Sequence, residues 1–264
     1  MRSLVPAFLG AALMLVGLPH MAAASGCFPV ASVAPRLVPA ALATAALPAG
    51  VTARLTFLGH ASFLIESAGG ASVVTDYNAY VGAPFTPDIV TMNNAHDTHY
   101  TAFVEPGVPH VLRGWNPQGG EARHDLTFRD VRVRNVPTAV HGRSGAQGNS
   151  NSIFVFEIED LCIAHLGHLH HVLTEQHLAE LGIIDVVLVP VDGAWTMSQE
   201  EMVEVIRQLR APVVVPMHYF GSSTLARFLA LVEGEHEVVT SDTPELLLSR
   251  ATLPQRRVVV LHGR

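Results

Sequence analysis

Two histidines with a spacing suited to metal binding follow a short apolar segment. His96 and His99 lie three residues apart in the stretch 94–99, directly after Ile89–Met92. A strand that ends in a tight turn directs its side chains into a common cavity, where closely spaced imidazoles are suited to binding a transition metal. Three more histidines follow other apolar segments, namely His141, His168 and His218. The sequence therefore predicts a metal site built from residues that are distant in the chain.

These histidines resemble the signature of the metallo-β-lactamase superfamily, His-x-His-x-Asp-His followed by single later ligands. Supporting segments are Phe57–Glu66, Ala164–His168 and Val215–Tyr219. The resemblance extends from about Val51 to the C-terminus, and its motifs are similar to those of ascorbate-6-phosphate lactonase and related hydrolases. It implies an α/β fold, a four-layer αββα sandwich of two mixed β-sheets flanked by helices.

Matched position by position, the family motif is substituted in this chain. Its four positions are held by Asn94, His96, Thr98 and His99. The aspartate that bridges two metals in the family is His168 here. A carboxylate can bridge two cations, whereas a neutral imidazole presents one lone pair to one metal. We therefore predict one tightly held ion at His99, His168 and His218.

The second family site corresponds to Asn94, His96 and His141, and we predict that this set is weaker or empty. Three neutral imidazoles with an open fourth position are typical of catalytic zinc. We expect one zinc ion per chain, with Fe, Mn or Cu as alternatives because imidazole also suits these metals.

Three residues are predicted to assist proton movement: His170, Asp97 and Tyr219. For Asp97 a supporting or structural role is the alternative. His60 and Asp76 either border the site or serve as turn and hydrogen-bonding residues.

The resemblance implies a metal-dependent hydrolase in which a metal-bound hydroxide attacks a small ester, lactone or phosphoester. Because Thr98 replaces an aspartate that orients water in relatives, the alternative is a non-hydrolytic metal-binding protein or an Fe/Cu oxidoreductase. A third interpretation is an inactive relative that retains only the scaffold. Substrate identity and oligomeric state are not indicated by the sequence.

Composition limits the partners. The 264 residues suffice for one large domain, the formal net charge is -7, and all 16 basic residues are arginine. No basic run is present, so nucleic acid is not an expected partner. The expected partner is a small-molecule substrate.

The N-terminus is predicted to be a signal peptide, residues 1–26. Met1 and Arg2 precede the apolar segment Leu4–Leu18 and a run of small residues, which favours export to the periplasm with cleavage over a stable membrane span. Residues 27–50 are predicted to be an Ala- and Pro-rich leader, and residues 51–264 to be the metallo-β-lactamase-like domain that the resemblance implies. Cys27 is alternatively a lipid attachment site. A bond from Cys27 to Cys162 is a further option, as is a simply buried Cys162.

Alternating and short apolar runs predict the strands, and 3.6-residue periodicity predicts the helices. The predicted strands are 54–59, 62–66, 72–76, 88–92, 108–112, 126–134, 152–158, 161–166, 185–190, 212–216, 237–240 and 257–261. The predicted helices are 174–181, 198–209 and 223–232.

Overall fold

A computed structural model describes Cys27 and residues 46–81, 83–142 and 145–262, without the side chains of residues 141–148. In chain order its elements are β1 (Ala53–Gly59), β2 (Ser62–Ser67), β3 (Ser72–Val74), β4 (Ile89–Met92), β5 (His110–Arg113), β6 (Asp125–Phe128), β7 (Val131–Gly142), β8 (Gly145–Ile158), β9 (Leu161–His165), α1 (Glu175–Leu181), β10 (Val186–Pro190), α2 (Gln199–Leu209), β11 (Val213–Met217), α3 (Ser222–Val232), β12 (Glu237–Thr240), β13 (Glu245–Leu248), a 3₁₀ turn (Arg250–Thr252) and β14 (Arg257–Val260).

The described strands form two mixed sheets. The first has the order β13–β1–β2–β3–β4–β5, and the second β12–β14–β11–β10–β9–β8–β7–β6. In the second sheet, β6 to β9 are antiparallel, and β9, β10, β11, β14 and β12 are parallel. The α/β sandwich of two mixed sheets flanked by helices is therefore confirmed.

The main core lies between the sheets. Leu55 and Ile65 from the first sheet and Phe156 and Ile163 from the second are fully buried in one cluster. Strands β2 to β4 are buried along their whole length. Their alternate residues face this core on one side and a smaller cluster, which includes Leu64 and Val74, on the other.

The helices cover the outer face of the second sheet. Met202 and Ile206 of α2 and Phe228 and Val232 of α3 pack in a second buried cluster with strand residues of this sheet. In the described part of the chain, loop side chains such as Tyr77 cover the opposite face of the first sheet. None of the described helices has the length and apolar character needed to cross a membrane.

Capping side chains set the starts of the first two helices. Thr174 precedes α1 and Ser198 precedes α2, and each accepts a hydrogen bond from the backbone N–H three residues later in a capping box. Such a cap satisfies a backbone donor that has no partner inside the helix, and therefore sets the helix boundary.

A disulfide joins the leader to the second sheet. Cys27 and Cys162 are bonded with their Cα atoms 5.7 Å apart, and both residues are buried. Ile183 N–H also donates to the Cys27 carbonyl at 2.7 Å. The predicted signal peptide and residues 28–45 of the leader lie outside the described residues.

Candidate metal centre

The centre lies where strands of both sheets end. Its residues each come shortly after a strand: His60 after β1, Asp76 after β3, His99 after β4, His168 after β9, Asp192 after β10 and His218 after β11. Six side chains from two sheets thereby meet at one edge of the sandwich.

Four imidazoles form a contiguous cluster with His99 at its middle. The Nε2 atom of His99 lies 3.1 Å from Nε2 of His218 and 3.0 Å from Nδ1 of His168. The ring centroids of His60 and His218 are 4.1 Å apart. Ligand atoms of His60, His99 and His218 all lie within 4.8 Å of one another. These three can converge on one ion with small side-chain movements.

A buried carboxylate orients His99. Asp76 Oδ2 lies 2.5 Å from His99 Nδ1, and Asp76 Oδ1 accepts from the backbone N–H of Asn93. Burial raises the pKa of Asp76 to about 6, partly offset by nearby His165 and the Asn93 bond. Asp76 is therefore mainly ionised at pH 7 and can only accept, so the proton of His99 lies on Nδ1. The Nε2 lone pair of His99 then faces His218.

A second carboxylate contacts His218 from behind. Asp192 Oδ1 lies 3.1 Å from His218 Nδ1, although the contact is poorly aligned for a hydrogen bond. Burial raises the pKa of Asp192, but the contact with His218 and the hydrogen bonds from Thr196 and Ala194 outweigh it and hold the pKa well below its usual range. Asp192 is thus an anion whose charge favours a proton on Nδ1 of His218.

The donor set fits a transition metal. Burial, followed by the neighbouring imidazoles, lowers the pKa of His60 to about 3 and that of His168 to about 2, and it lowers the pKa of His99 as well. Neutral imidazoles present lone pairs, and zinc binds such nitrogens at about 2.0–2.1 Å, which places tetrahedral ligands roughly 3.3 Å apart. The 3.1 Å separation of the His99 and His218 Nε2 atoms is close to that spacing. A cation between them would remove the repulsion of the two facing lone pairs.

Three residues of the centre have left-handed backbone conformations. The φ angles are 52° at His60, 43° at Asp76 and 56° at His218. Non-glycine residues with such angles cost about 1–3 kcal/mol each and are concentrated at functional sites. The backbone N–H of His218 donates to the His60 carbonyl at 2.7 Å, which links the end of β11 to the β1–β2 turn.

Gly167 places His168 against this cluster. Its φ is +60°, and a Cβ at this position would lie 2.4 Å from Cβ of Asn93. Beyond it, the backbone N–H of His168 donates to Asn151 Oδ1 at 2.9 Å. The close approach leaves no room for a Cβ, and glycine also adopts this backbone conformation without strain.

The predicted ligands reach the centre to different degrees. His99, His168 and His218 meet there, as described above. His96 is exposed, bonds Thr98 Oγ1 through Nδ1 at 3.0 Å and stacks on His168 with ring centroids 5.8 Å apart. Its ligand role stays a prediction.

Asn94 and His141 belong to the metal site that was predicted to be weaker or empty. The amide nitrogen of Asn94 donates to the Ser150 carbonyl at 2.8 Å, so this side chain has a structural partner beside any metal. The side chain of His141 lies outside the described part of the chain. Both ligand roles stay predictions.

The predicted proton-transfer residues occupy three different environments. His170 is partly buried, with its ring centroid 4.8 Å from that of His168. Asp97 is exposed in the turn between His96 and His99. Tyr219 instead packs against the core beneath the helices, with its hydroxyl 3.5 Å from the Leu261 carbonyl oxygen. Its role in proton transfer stays a prediction.

Sequence reasoning did not assign His60 as a ligand or Asp192 as a carboxylate partner. Both follow strand ends in the same way as the predicted ligands, which is the local signal that they share. That signal does not show which strand ends are neighbours in space. His60 follows a strand of the first sheet and His218 follows a strand of the second, so their meeting depends on how the two sheets pack.

Replacing Asp76 with asparagine tests the orientation of His99. An amide lacks the charge that holds the proton on Nδ1, and loss of such a partner costs about 10–100-fold in metal affinity. We expect Asp76→Asn to show this loss in a competitive chelator titration. Asp88→Asn is the matched control, because Asp88 bonds Ser72 instead of an imidazole, and it should bind metal like the parent. Equal affinities for both variants would contradict the role of Asp76.

The sequence model of a β-lactamase superfamily domain matches residues 54–218. A UPF0173 metal-dependent hydrolase from Methanoculleus marisnigri is 32% identical over 183 residues, which cover 63% of this chain and 80% of that protein. The region 54–218 that matches the family model includes all four imidazoles of the cluster, from His60 to His218.

Solved structures agree with the fold. A Thermotoga maritima protein assigned as a Zn-dependent hydrolase of the metallo-β-lactamase superfamily is 30% identical, with a TM-score of 0.58 over 79% of this chain and 98% of that chain. Igni18, a metallo hydrolase from Ignicoccus hospitalis, shares the fold at 20% identity and a TM-score of 0.52, over 80% of this chain and 95% of that one. The chain therefore belongs to the metallo-β-lactamase superfamily, among its metal-dependent hydrolases.

Proposed function

We propose that the protein is an exported hydrolase of a small ester, lactone or phosphoester that uses one zinc ion. The observation that carries the proposal is the convergence of four imidazoles from both sheets, three of them buried, with carboxylates behind two of them. His60, His99 and His218 would hold the ion. His168 contacts His99 through its Nδ1 atom but lies outside this converging set. This differs from the ligand set expected from the family motif, in which His168 takes the place of His60.

A bound zinc ion would supply Lewis acidity, which lowers the pKa of water and polarises the acceptor oxygen of the substrate. The protein keeps its imidazoles oriented through Asp76 and Asp192. In ester hydrolysis, water adds to the acyl carbon, the bond from that carbon to the alcohol oxygen breaks, and that oxygen receives a proton. A carboxylate and an alcohol are the products.

His170 is the residue proposed to move that proton. It adjoins His168 at the partly exposed side of the cluster, where a substrate would enter, and imidazole exchanges protons near neutral pH. Asp97 is more exposed and lies in a turn, so it is the weaker choice.

Export is supported by the disulfide between Cys27 and Cys162. Such bonds persist in oxidising compartments such as the periplasm. A sulfur in a disulfide is also not available for lipid attachment, so we propose a form without a lipid at Cys27. Mass spectrometry of the protein from its native cells should find the Cys27–Cys162 peptide pair. A diacylglyceryl group on Cys27 would contradict this proposal.

Metal content and paired alanine variants test the site. We expect one tightly bound zinc per chain. His60→Ala should lower zinc affinity more than His168→Ala does, because the His60 ligand atoms belong to the converging set. Zinc content by mass spectrometry and affinity by chelator competition are the measurements.

The two variants also separate the alternatives. A larger loss of zinc affinity in His168→Ala than in His60→Ala would favour the ligand set expected from the family motif. Two tightly bound ions per chain would contradict a mononuclear centre. Zinc binding without turnover of p-nitrophenyl esters, lactones or bis(p-nitrophenyl) phosphate would favour a non-hydrolytic metal protein.

A further inference from the structure

An open depression of about 630 Å³ adjoins the metal centre. It is lined in part by His170, Val172, Trp195, Met197 and Glu201, and we call it the Trp195 pocket. His170 is shared with the centre, since its ring lies 4.8 Å from that of His168. A molecule that occupies the pocket can therefore place a reacting group beside the imidazoles.

Asp192 couples the pocket wall to the metal centre. Its Oδ2 accepts hydrogen bonds from the backbone N–H groups of Ala194, Trp195 and Thr196, and its Oδ1 accepts from the Thr196 hydroxyl. The same Oδ1 lies 3.1 Å from His218 Nδ1. One buried carboxylate thus positions both the loop that carries Trp195 and an imidazole of the site.

Two large aromatic side chains are exposed beside the centre. Trp195 is 69% exposed and Phe220 64% exposed. The Phe220 ring lies 5.5 Å from the rings of both His60 and His218. Exposed aromatic surface next to a cluster of polar, pKa-shifted groups is the usual composition of a small-molecule site.

The pocket's charge selects against anionic ligands. Glu201 is the charged residue among the described lining residues, and its carboxylate accepts from the backbone N–H and hydroxyl of Ser198. No arginine is among those lining residues, and the chain has no lysine. Recognition of a phosphate normally uses such cations, so a phosphoester would meet a carboxylate instead of a partner.

We propose that the Trp195 pocket binds the apolar group of an uncharged ester or lactone, and that Trp195 sets the preference for the length of that group. The inference rests on the proposed hydrolase function and narrows its substrate class. Phosphoesters are then poor substrates.

A chain-length series tests the substrate class. The zinc-loaded protein is assayed with p-nitrophenyl acetate, butyrate and hexanoate and with bis(p-nitrophenyl) phosphate. We expect kcat/KM to rise up to about fourfold for each added CH₂ that is buried, and the phosphodiester to be the poorest substrate. A preference for the phosphodiester, or no rise with chain length, would overturn the proposal.

Variants assign the effect to the pocket. Trp195→Ala should flatten the rise with chain length, whereas Leu247→Ala should keep it, because Leu247 is exposed on β13 opposite Arg54, away from the end of β1 that carries His60. Glu201→Gln retains the capping pattern of α2 and removes the charge, and should raise the rate with the phosphodiester severalfold. An unchanged slope in Trp195→Ala would count against the proposal.

A binding measurement separates failure of the pocket from failure of the hydrolase function. The chain has two tryptophans, so Trp115→Phe leaves Trp195 as the single reporter. Titration with 2-decanone, an uncharged and non-hydrolysable carbonyl compound, should change its fluorescence saturably, and dibutyl phosphate should not. Binding of 2-decanone without turnover of any ester would refute the hydrolase function alone. Ester turnover without 2-decanone binding would refute the pocket alone.

Discussion

Removing the imidazole of His218 should release the metal and reduce turnover to background. Its Nε2 lies 3.1 Å from that of His99, its ring adjoins that of His60, and the residue is 2% exposed. Because loss of a supporting partner already costs about 10–100-fold in metal affinity, loss of this ligand should cost more than about 100-fold.

The variant must preserve the fold for this result to be informative. His218 has a φ of 56°, and asparagine tolerates this region better than alanine does. We therefore expect His218→Asn and His218→Ala to behave alike in metal content and turnover, with circular dichroism like the parent. His262→Ala replaces an exposed histidine and should change nothing. A metal-free His218 variant that still turns over substrate would contradict the proposed chemistry.

Breaking the disulfide should produce the largest loss of stability. Cys27 and Cys162 are separated by 135 residues, and closing a loop of that length stabilises the folded state by up to about 5 kcal/mol in the chain-entropy view, with 2–5 kcal/mol typical on removal. We expect Cys162→Ala to lower the free energy of unfolding by this amount in a denaturant titration.

Reduction provides the matched control. The Cys27→Ala/Cys162→Ala double variant should be as unstable as the single variant and insensitive to a reducing agent, whereas the parent should lose stability when reduced. The same denaturation midpoint for the parent and the double variant would mean that the leader contributes no constraint to the folded domain.

The local pattern predicted most of the elements. Strand 237–240 has its predicted bounds, and Thr174 and Ser198 begin their helices as caps. The segment 126–134 was predicted as one strand, but Arg129 has a φ of 52° and the chain reverses into β6 and β7. The turn is held by Asp130, which accepts from Ser67 and Gly69 of the other sheet. Such a tertiary partner leaves no periodic signal.

Strand β13, at the edge of the first sheet, escaped prediction for a similar reason. Strand β13 follows Pro244, is partly exposed and pairs only with β1 in the described sheet. Its leucine run has neither alternation nor helical period, so sequence alone did not distinguish it from a loop.

The sequence predicted the chemistry of the candidate site and several of its residues, but not the complete set. Motif spacing identified His99, His168 and His218, because each matches a family position after a strand. His60 joins them only through the approach of the β1–β2 turn to the end of β11, where His218 N–H meets the His60 carbonyl. That contact joins residues 158 positions apart, and no local property encodes it.

An ion held by His60 and His218 would cross-link two layers that otherwise adhere mainly through their apolar faces. Unfolding would have to expel that ion, so durability and metal supply would be coupled. A free concentration one hundred times the dissociation constant adds about 2.7 kcal/mol of resistance to unfolding. Scarcity of the ion would then lower the stability of the protein as well as its turnover.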